Sequence, residues 1–461
     1  MATHPAADRD GETLGLGENG GRVERSSAPR LPAADPSLPS AAMADPSLPD
    51  VGILALVPEP FYVPWMTRHQ IMTRLSGYFP CVWINPARHW REVLRAPFGA
   101  ERCEGASSAA PPPGLSVYEP PPWLPQIHRP EGLAAFLDTA RLRGARRMLL
   151  DRGCRTIVLY LWRPGFAPAL DRVPHDRSLY HVEDEYSFSE TEQPNSPEEE
   201  TLLRRVDRVF IHSPGLLEKK GGLNPRTEQI PNGVDFEAVA ALRPEPADLA
   251  AIPHPRIGYC GWVKRQLDWE LIDTLSARRP HDSFVFVGAV ASHPELGRIL
   301  ERLDERPNVH FLGARSTEEL LAYPAHFDAC IMPYKMDDYT QYIYPLKLHE
   351  YLAGGAPIVS TAIRTVRDFG DVVELAETTE EWSAALDRAL EPAAREPARV
   401  EARRAVARAH DWNGLTHQVA RAIADTVGGS IPERLAALPV PEDWRLGRFR
   451  RAEWRDEGIG G

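Results

Sequence analysis

The sequence predicts an α/β protein of two doubly wound units facing a central cleft, and three observations carry that prediction. Short apolar runs of buried-strand type alternate with helical stretches, the signature of parallel sheets covered on both faces. The alternation is interrupted by a proline-rich stretch, Arg243-Pro-Glu-Pro through His254-Pro255, and restarts after it. The chain also has 461 residues, enough for two or three domains.

Elements follow in order. Residues 1–50 are rich in Ala, Pro, Gly, Ser and Asp and cannot offset the entropy of ordering, so they are expected to form a disordered leader. Met43 is an alternative start. Structure is expected from Val51 onward, with strands at Val51–Val57, Cys81–Ile84, Thr156–Trp162, Ser178–Val182 and Arg208–Ile211. Helices are expected at 66–77, 131–152 and 198–206, and residues 96–125 read as an irregular insertion. The first unit therefore spans 51–245. The second, 256–427, repeats the pattern with strands at 256–260, 283–287, 309–312, 328–332 and 357–360. Helices at 380–391, 397–409 and 413–427 close it, and the tail 428–461 is long enough to pack back on the first unit.

Composition narrows the function. Hydrophobic residues make up 43% of the chain, so a sizeable core can be buried. Lys and Arg number 53 against 65 Asp and Glu, a net charge of -12 that argues against a nucleic-acid partner. No run approaches the roughly eighteen apolar residues of a spanning helix. Five cysteines without a C-x-x-C spacing, and no signal-peptide pattern, lead us to expect reduced thiols and a cytoplasmic protein. No zinc or other metal site is expected.

The most informative segment is Tyr342-Ile-Tyr344-Pro345-Leu-Lys347-Leu-His-Glu350, continuing to Gly354-Gly355. Pro suits the start of a helix and Gly its end. The helix is therefore short, with its electropositive N-terminus directed at the cleft. Lys347 and Glu350, three apart, share a face. A cation suits a diphosphate, and a carboxylate a turn later suits a pair of sugar hydroxyls. The rival reading is a solvated ion pair. Gly258-Tyr-Cys-Gly261 ends the first strand of the second unit at a turn where backbone can approach a ligand, with Lys264 or Arg265 able to reach phosphates from the opposite side.

These motifs, with Asn308 to Gly313, Phe327 to Tyr334 and Ile230 to Asp235, resemble glycosyltransferases of the GT-B fold, specifically the family-4-like group (glycosyl transferases group 1) with teichuronic-acid and other envelope-polysaccharide relatives. The resemblance spans roughly 51–425. It implies two Rossmann-like domains, donor binding in the second and acceptor binding in the first, and a nucleotide diphosphate sugar as donor with no separate cofactor. By carry-over, Glu350 holds the ribose, Lys347 and Arg265 face the diphosphate, the loop after Gly313 lies near the base, and Tyr344 and Gly261 border the donor site. Asp235 is structural. The family often carries a first glutamate at the position of Tyr342, and this chain lacks it; Asp337 and Asp338 lie nearby.

In the first unit, Tyr180-His181-Val-Glu183-Asp184-Glu185 follows a strand, and Asp184 matches the second acid of the family's pattern there. Asp184 and His181 are the catalytic candidates, each weighed against a structural role. Arg68 and His69 are candidate acceptor contacts. The stretch Arg141–Leu150 reads as a core helix with a charged outer face, and secondarily as a peripheral membrane contact. The expected activity is sugar transfer to a carbohydrate, lipid-linked or small-molecule acceptor in polysaccharide or glycoconjugate synthesis, retaining and metal-independent. A nucleotide-sugar epimerase and a non-catalytic relative are the alternatives.

Overall fold

A computed structural model describes residues 45–62, 66–95, 111–186, 196–291 and 294–438. The expected leader up to Ala44, the end of the tail, and Cys103 lie outside them. Of the leader's last residues, Leu48 is buried in the first core, its N–H bonded to Tyr78 O at 2.8 Å.

The run Val51–Leu56 forms β1 with every side chain buried. Such a strand needs neighbours and covering helices on both sides, and it has them. β2 (Cys81–Ile84), β3 (Leu115–Tyr118), β4 (Thr156–Leu161), β5 (Arg177–Val182), β6 (Arg208–Ile211) and β7 (Thr227–Gln229) complete a sheet in the order β3-β2-β1-β4-β5-β6-β7. All its pairs are parallel. β8 (Arg256–Cys260), β9 (Ser283–Val287), β10 (Val309–Gly313), β11 (Ala329–Met332), β12 (Ile358–Thr361) and β13 (Glu374–Ala376) form the second sheet, β10-β9-β8-β11-β12-β13, also parallel. In each sheet the strand order reverses beside the first strand, at β1/β4 and at β8/β11. Ligands of open parallel sheets bind outside the strand ends at such reversals.

β3, β7 and β13 were not expected. They are edge strands of three or four residues with mostly half-exposed side chains, so they carry no apolar run to read. β3 lies inside the stretch expected to be irregular.

Helix Trp412–Val427 was expected to close the second unit, but its apolar stripe packs on the first. Trp412, Leu415, Val419 and Ile423 share a core with Val51, Ile53 and Ile71, and Asn413 Oδ1 accepts from Arg74 Nε at 2.9 Å. Ile431 and Leu435 extend that core, and Arg434 forks onto Asp50 with both contacts at 2.8 Å. Asp235 also serves structure: it caps helix Phe236–Ala240 and pairs with Arg74 at 2.8 Å.

Candidate functional site

The site grows from the end of β8. Cys260 N donates to Tyr351 Oη at 2.7 Å, which clamps helix Leu346–Gly354 against that strand. Gly355, in the left-handed region at φ +80°, stops the helix. The clamp lays Lys347 over the turn that follows β8. Gly261 there has φ +130°, and a Cβ on it would lie 2.5 Å from Lys347 Cε and 2.7 Å from Nζ. Gly288, at φ +150°, stacks on Gly261: its Cβ would meet Gly261 O at 2.1 Å. Gly288 N in turn donates to Gly313 O at 2.9 Å. Only glycine fits the first two positions, for reasons of both space and backbone angle. Gly261, Gly313 and Lys347, singled out in the sequence, are thus brought together, and Gly288, which the sequence analysis missed, is the link between them. Its signal was a glycine directly after a buried strand, at Val287-Gly288.

Lys347 Nζ stands 5.0 Å from the centre of the Tyr259 ring. Burial opposes its charge, but the Tyr259 and Tyr334 phenols and the Glu350 carboxylate outweigh that and hold the ammonium above its usual range. Burial raises Glu350, with Lys347 pulling the other way. Lys264 is the second cation: burial, then the neighbouring charge of Lys347, lowers it to about 8 against the pull of Asp184. Among the described residues neither Lys264 nor Lys347 is in an ion pair of 4.0 Å or less.

Arg265 is placed elsewhere. It is exposed and lines a cavity of about 720 Å³ with Asp268, Tyr334, Asp337 and Glu377, whose lining includes neither Lys347 nor Glu350. Arg265 opens the turn that Leu267 N closes on Lys264 O at 3.2 Å, and its side chain lines that cavity.

Tyr344 is not brought to the site either. It is buried, its hydroxyl bonded to His349 Nε2 at 2.9 Å and its carbonyl accepting from Asn232 Nδ2 at 2.7 Å across the lobes. Tyr342 packs on the first lobe's core, with Lys219 Nζ 5.0 Å from its ring. Gly215 permits this approach, since a Cβ there would meet Gln341 O at 2.7 Å. Asp337 Oδ1 accepts from Thr340 N at 2.8 Å and holds its own loop.

The first lobe faces this cradle through Asp184, just beyond β5. Tyr339 Oη of the second lobe lies 3.5 Å from Asp184 Oδ2. His181 is fully buried in β5, stacked on Trp162 at 4.4 Å with its Nδ1 2.8 Å from Tyr160 Oη. Burial pushes it well below the usual histidine range, so it stays neutral. Arg68 is buried and pairs with Glu59 and with Glu183, each at 2.6 Å. Burial raises Glu183 to about 7 although Arg68 opposes it. Glu183 Oε1 and Arg68 Nε find no partner among the described residues. His69 is spent on backbone, its Nε2 3.0 Å from Phe61 O and its Nδ1 accepting from Met66 N at 3.2 Å. At the β1/β4 reversal a cavity of about 480 Å³ opens, bordered by Val57, Asn85, Gln126, Arg141, Arg163 and Arg172.

Comparison with known proteins defines the class. Residues 254–391 match the family model described as glycosyl transferases group 1. The glycosyltransferase TuaH of Bacillus subtilis (strain 168), named for teichuronic acid biosynthesis, is 30% identical over 228 residues, covering 47% of this chain and 57% of that protein. The chain therefore matches little more than half the length of that curated relative. Among solved structures, the E. coli structure described as trehalose-6-phosphate bound with UDP-2-fluoro glucose superposes with a TM-score of 0.59 at 14% identity, covering 82% of this chain and 99% of that one. A UDP-forming trehalose-phosphate synthase from Burkholderia xenovorans gives 0.57 at 12% identity over 82% and 100%. The chain thus has the GT-B architecture, and its second lobe matches the family model described as glycosyl transferases group 1. The resemblance drawn from the motifs is borne out.

Proposed function

We infer that the protein transfers a sugar from a nucleotide diphosphate sugar to an acceptor hydroxyl. One observation carries this reading: Lys347 and Lys264 lie at the β8/β11 reversal without ion-pair partners among the described residues, against a glycine turn that lets backbone close on a ligand. When the donor's bond to the anomeric carbon breaks, charge grows on the departing diphosphate. The two ammonium groups and the N-terminus of helix Leu346–Gly354 stabilise that charge. Glu350, on the same helix face as Lys347, accepts hydrogen bonds from the ribose hydroxyls. These fixed cations supply what a divalent ion supplies elsewhere, which supports a metal-independent step. Retention of configuration and a role in polysaccharide synthesis rest on the resemblance.

Asp184, across the cleft by Tyr339, orients the acceptor hydroxyl. His181, neutral and enclosed by Trp162 and Tyr160, supports the strand end that presents Asp184. The first lobe's cavity at the β1/β4 reversal receives the acceptor. Tyr342 supplies no acid to the donor sugar, so the cleft's other groups orient it.

The test is calorimetric titration with UDP, GDP, ADP and dTDP. One of the four binds, and Lys347→Ala and Glu350→Ala each weaken it about tenfold or more, the worth of a charge-assisted hydrogen bond. Affinities unchanged in both variants would refute the donor assignment.

A further inference from the structure

The cavity that Arg265 borders in the second lobe lies apart from the lysine cradle, and a short two-stranded ribbon divides them. Leu267 pairs antiparallel with Tyr334, Asp268 N donates to Pro333 O at 2.7 Å, and Lys335 N donates to Gln266 O at 2.9 Å. Lys264, just before the ribbon, feels the charges of Lys347 and Asp184, whereas Arg265 and Lys335 border the cavity. Helices Trp269–Arg278 and Thr379–Leu390 both begin at its edge.

Two buried polar atoms of residues at this cavity lack partners. Trp382 is fully buried and Thr361 is 4% exposed. Both residues border the cavity, and Trp382 Nε1 and Thr361 Oγ1 find no hydrogen-bond partner among the described residues. No residue with such an atom borders the first lobe's cavity. Native cores pair nearly all such groups, because an unpaired one has lost its water and gained nothing in exchange. An indole N–H can only donate and a hydroxyl can both donate and accept, so the pair calls for a ligand rich in oxygen.

Charge narrows the ligand further. Arg265 and Lys335 stand with Asp268, Glu270, Asp337 and Glu377, so carboxylates outnumber cations and an anion would meet net repulsion. Three of those carboxylates are already engaged: Asp268 accepts from Leu271 N at 3.0 Å, Asp337 from Thr340 N at 2.8 Å and Glu377 from Arg367 at 3.1 Å. Among the described residues no group of three or more His, Cys, Asp or Glu is placed to hold a metal ion. Leu271, Leu296 and Ile299 add an apolar wall. Donors and acceptors around an apolar wall suit a neutral ring of hydroxyls. Each hydroxyl gives its proton to a carboxylate and accepts one from a cation or the indole, while the C–H face packs on the wall. We propose that this cavity binds a neutral saccharide, with Trp382 Nε1 and Thr361 Oγ1 on its hydroxyls and Arg265 at the rim. The volume, about 720 Å³, lies in the range of small-molecule sites.

The test is saturation-transfer NMR on the full chain with maltose, cellobiose, lactose and N,N′-diacetylchitobiose, and with galacturonate and glucose 6-phosphate as anionic probes. At least one neutral disaccharide binds. Thr361→Val keeps the shape of the side chain and removes an unpartnered hydroxyl, so it weakens that binding severalfold while the unfolding midpoint stays at the parent's or rises. Arg265→Ala, at an exposed position, weakens it about tenfold, the worth of a hydrogen bond from a charged group. Absence of binding by every neutral disaccharide overturns the proposal, as does binding by the anionic probes alone. So does binding undiminished in both variants, which would place the saccharide in the cleft. Titration of the same variants with nucleoside diphosphates reads the donor site separately, so that either reading can fail without the other.

Discussion

Two pairs of lysines in this molecule differ in how their charge is answered. Lys220, in the first lobe, is fully buried between Glu185 at 2.9 Å and Glu199 at 2.8 Å. Tyr180 Oη donates to the other oxygen of Glu199 at 2.9 Å, and Lys219 reaches Glu185 at 3.1 Å. Lys347 and Lys264, in the second lobe, have charge near them but no ion pair among the described residues. The balanced cluster has nothing left to offer a ligand and ties helix Pro214–Lys220 and helix Pro197–Arg205 to the end of β5. The unbalanced one keeps positive charge that a bound anion can satisfy. A buried lysine therefore points to binding when its countercharge is missing, not when it is merely buried.

This contrast can be broken, and the largest effect falls on the balanced cluster. Lys220→Met leaves Glu185 and Glu199 buried and facing each other, and should cost about 3–5 kcal/mol of stability in denaturant unfolding. A midpoint within experimental error of the parent would show that the cluster is not holding the lobe together. Next, Gly261→Ala puts a methyl group 2.5 Å from Lys347 Cε and strains a φ of +130°. Nucleoside diphosphate affinity should fall about tenfold through the displaced ammonium; tight binding in that variant would mean that Lys347 does not face the ligand.

The pH dependence sharpens the same comparison. Lys264 sits near 8 in the folded protein, so it is charged at pH 7 and neutral at pH 9. Diphosphate affinity should drop several-fold as pH rises through about 8, a step that Lys264→Met removes. For the unliganded fold the sign reverses. The folded value lies below the roughly 10.4 of an unfolded lysine, so the unfolded chain binds more protons between about pH 8 and 10, and this residue's contribution to stability rises with pH there. Paired denaturation and titration curves at pH 7 and 9 separate the two effects. The smallest effect is expected at Arg265, where Ala should change nucleotide affinity by less than about threefold; a larger loss would return that residue to the phosphate site.

What could be read in advance follows from what each feature costs in sequence. Buried parallel strands need unbroken apolar runs, so β1, β4, β8 and β9 were legible; β3, β7 and β13, half exposed at sheet edges, were not. Helix Leu346–Gly354 was legible because proline and glycine mark its ends. Helix Trp412–Val427 was legible as a helix, but its partner was not, because an apolar stripe does not name the surface that it meets.

The sequence alone determined the two parallel sheets, the break between them near Pro255, and the spacing that puts Lys347 and Glu350 on one side of a short helix, because each of these depends on residues close together in the chain. Tertiary structure decided which loop cation joins Lys347, that Gly288 links Gly261 to Gly313, that Tyr344 and His181 lie in the core, and that Asp184 meets Tyr339 across the cleft. Those pairings span tens to more than a hundred residues, and only packing of the whole chain fixes which side chains meet and which keep an unanswered charge.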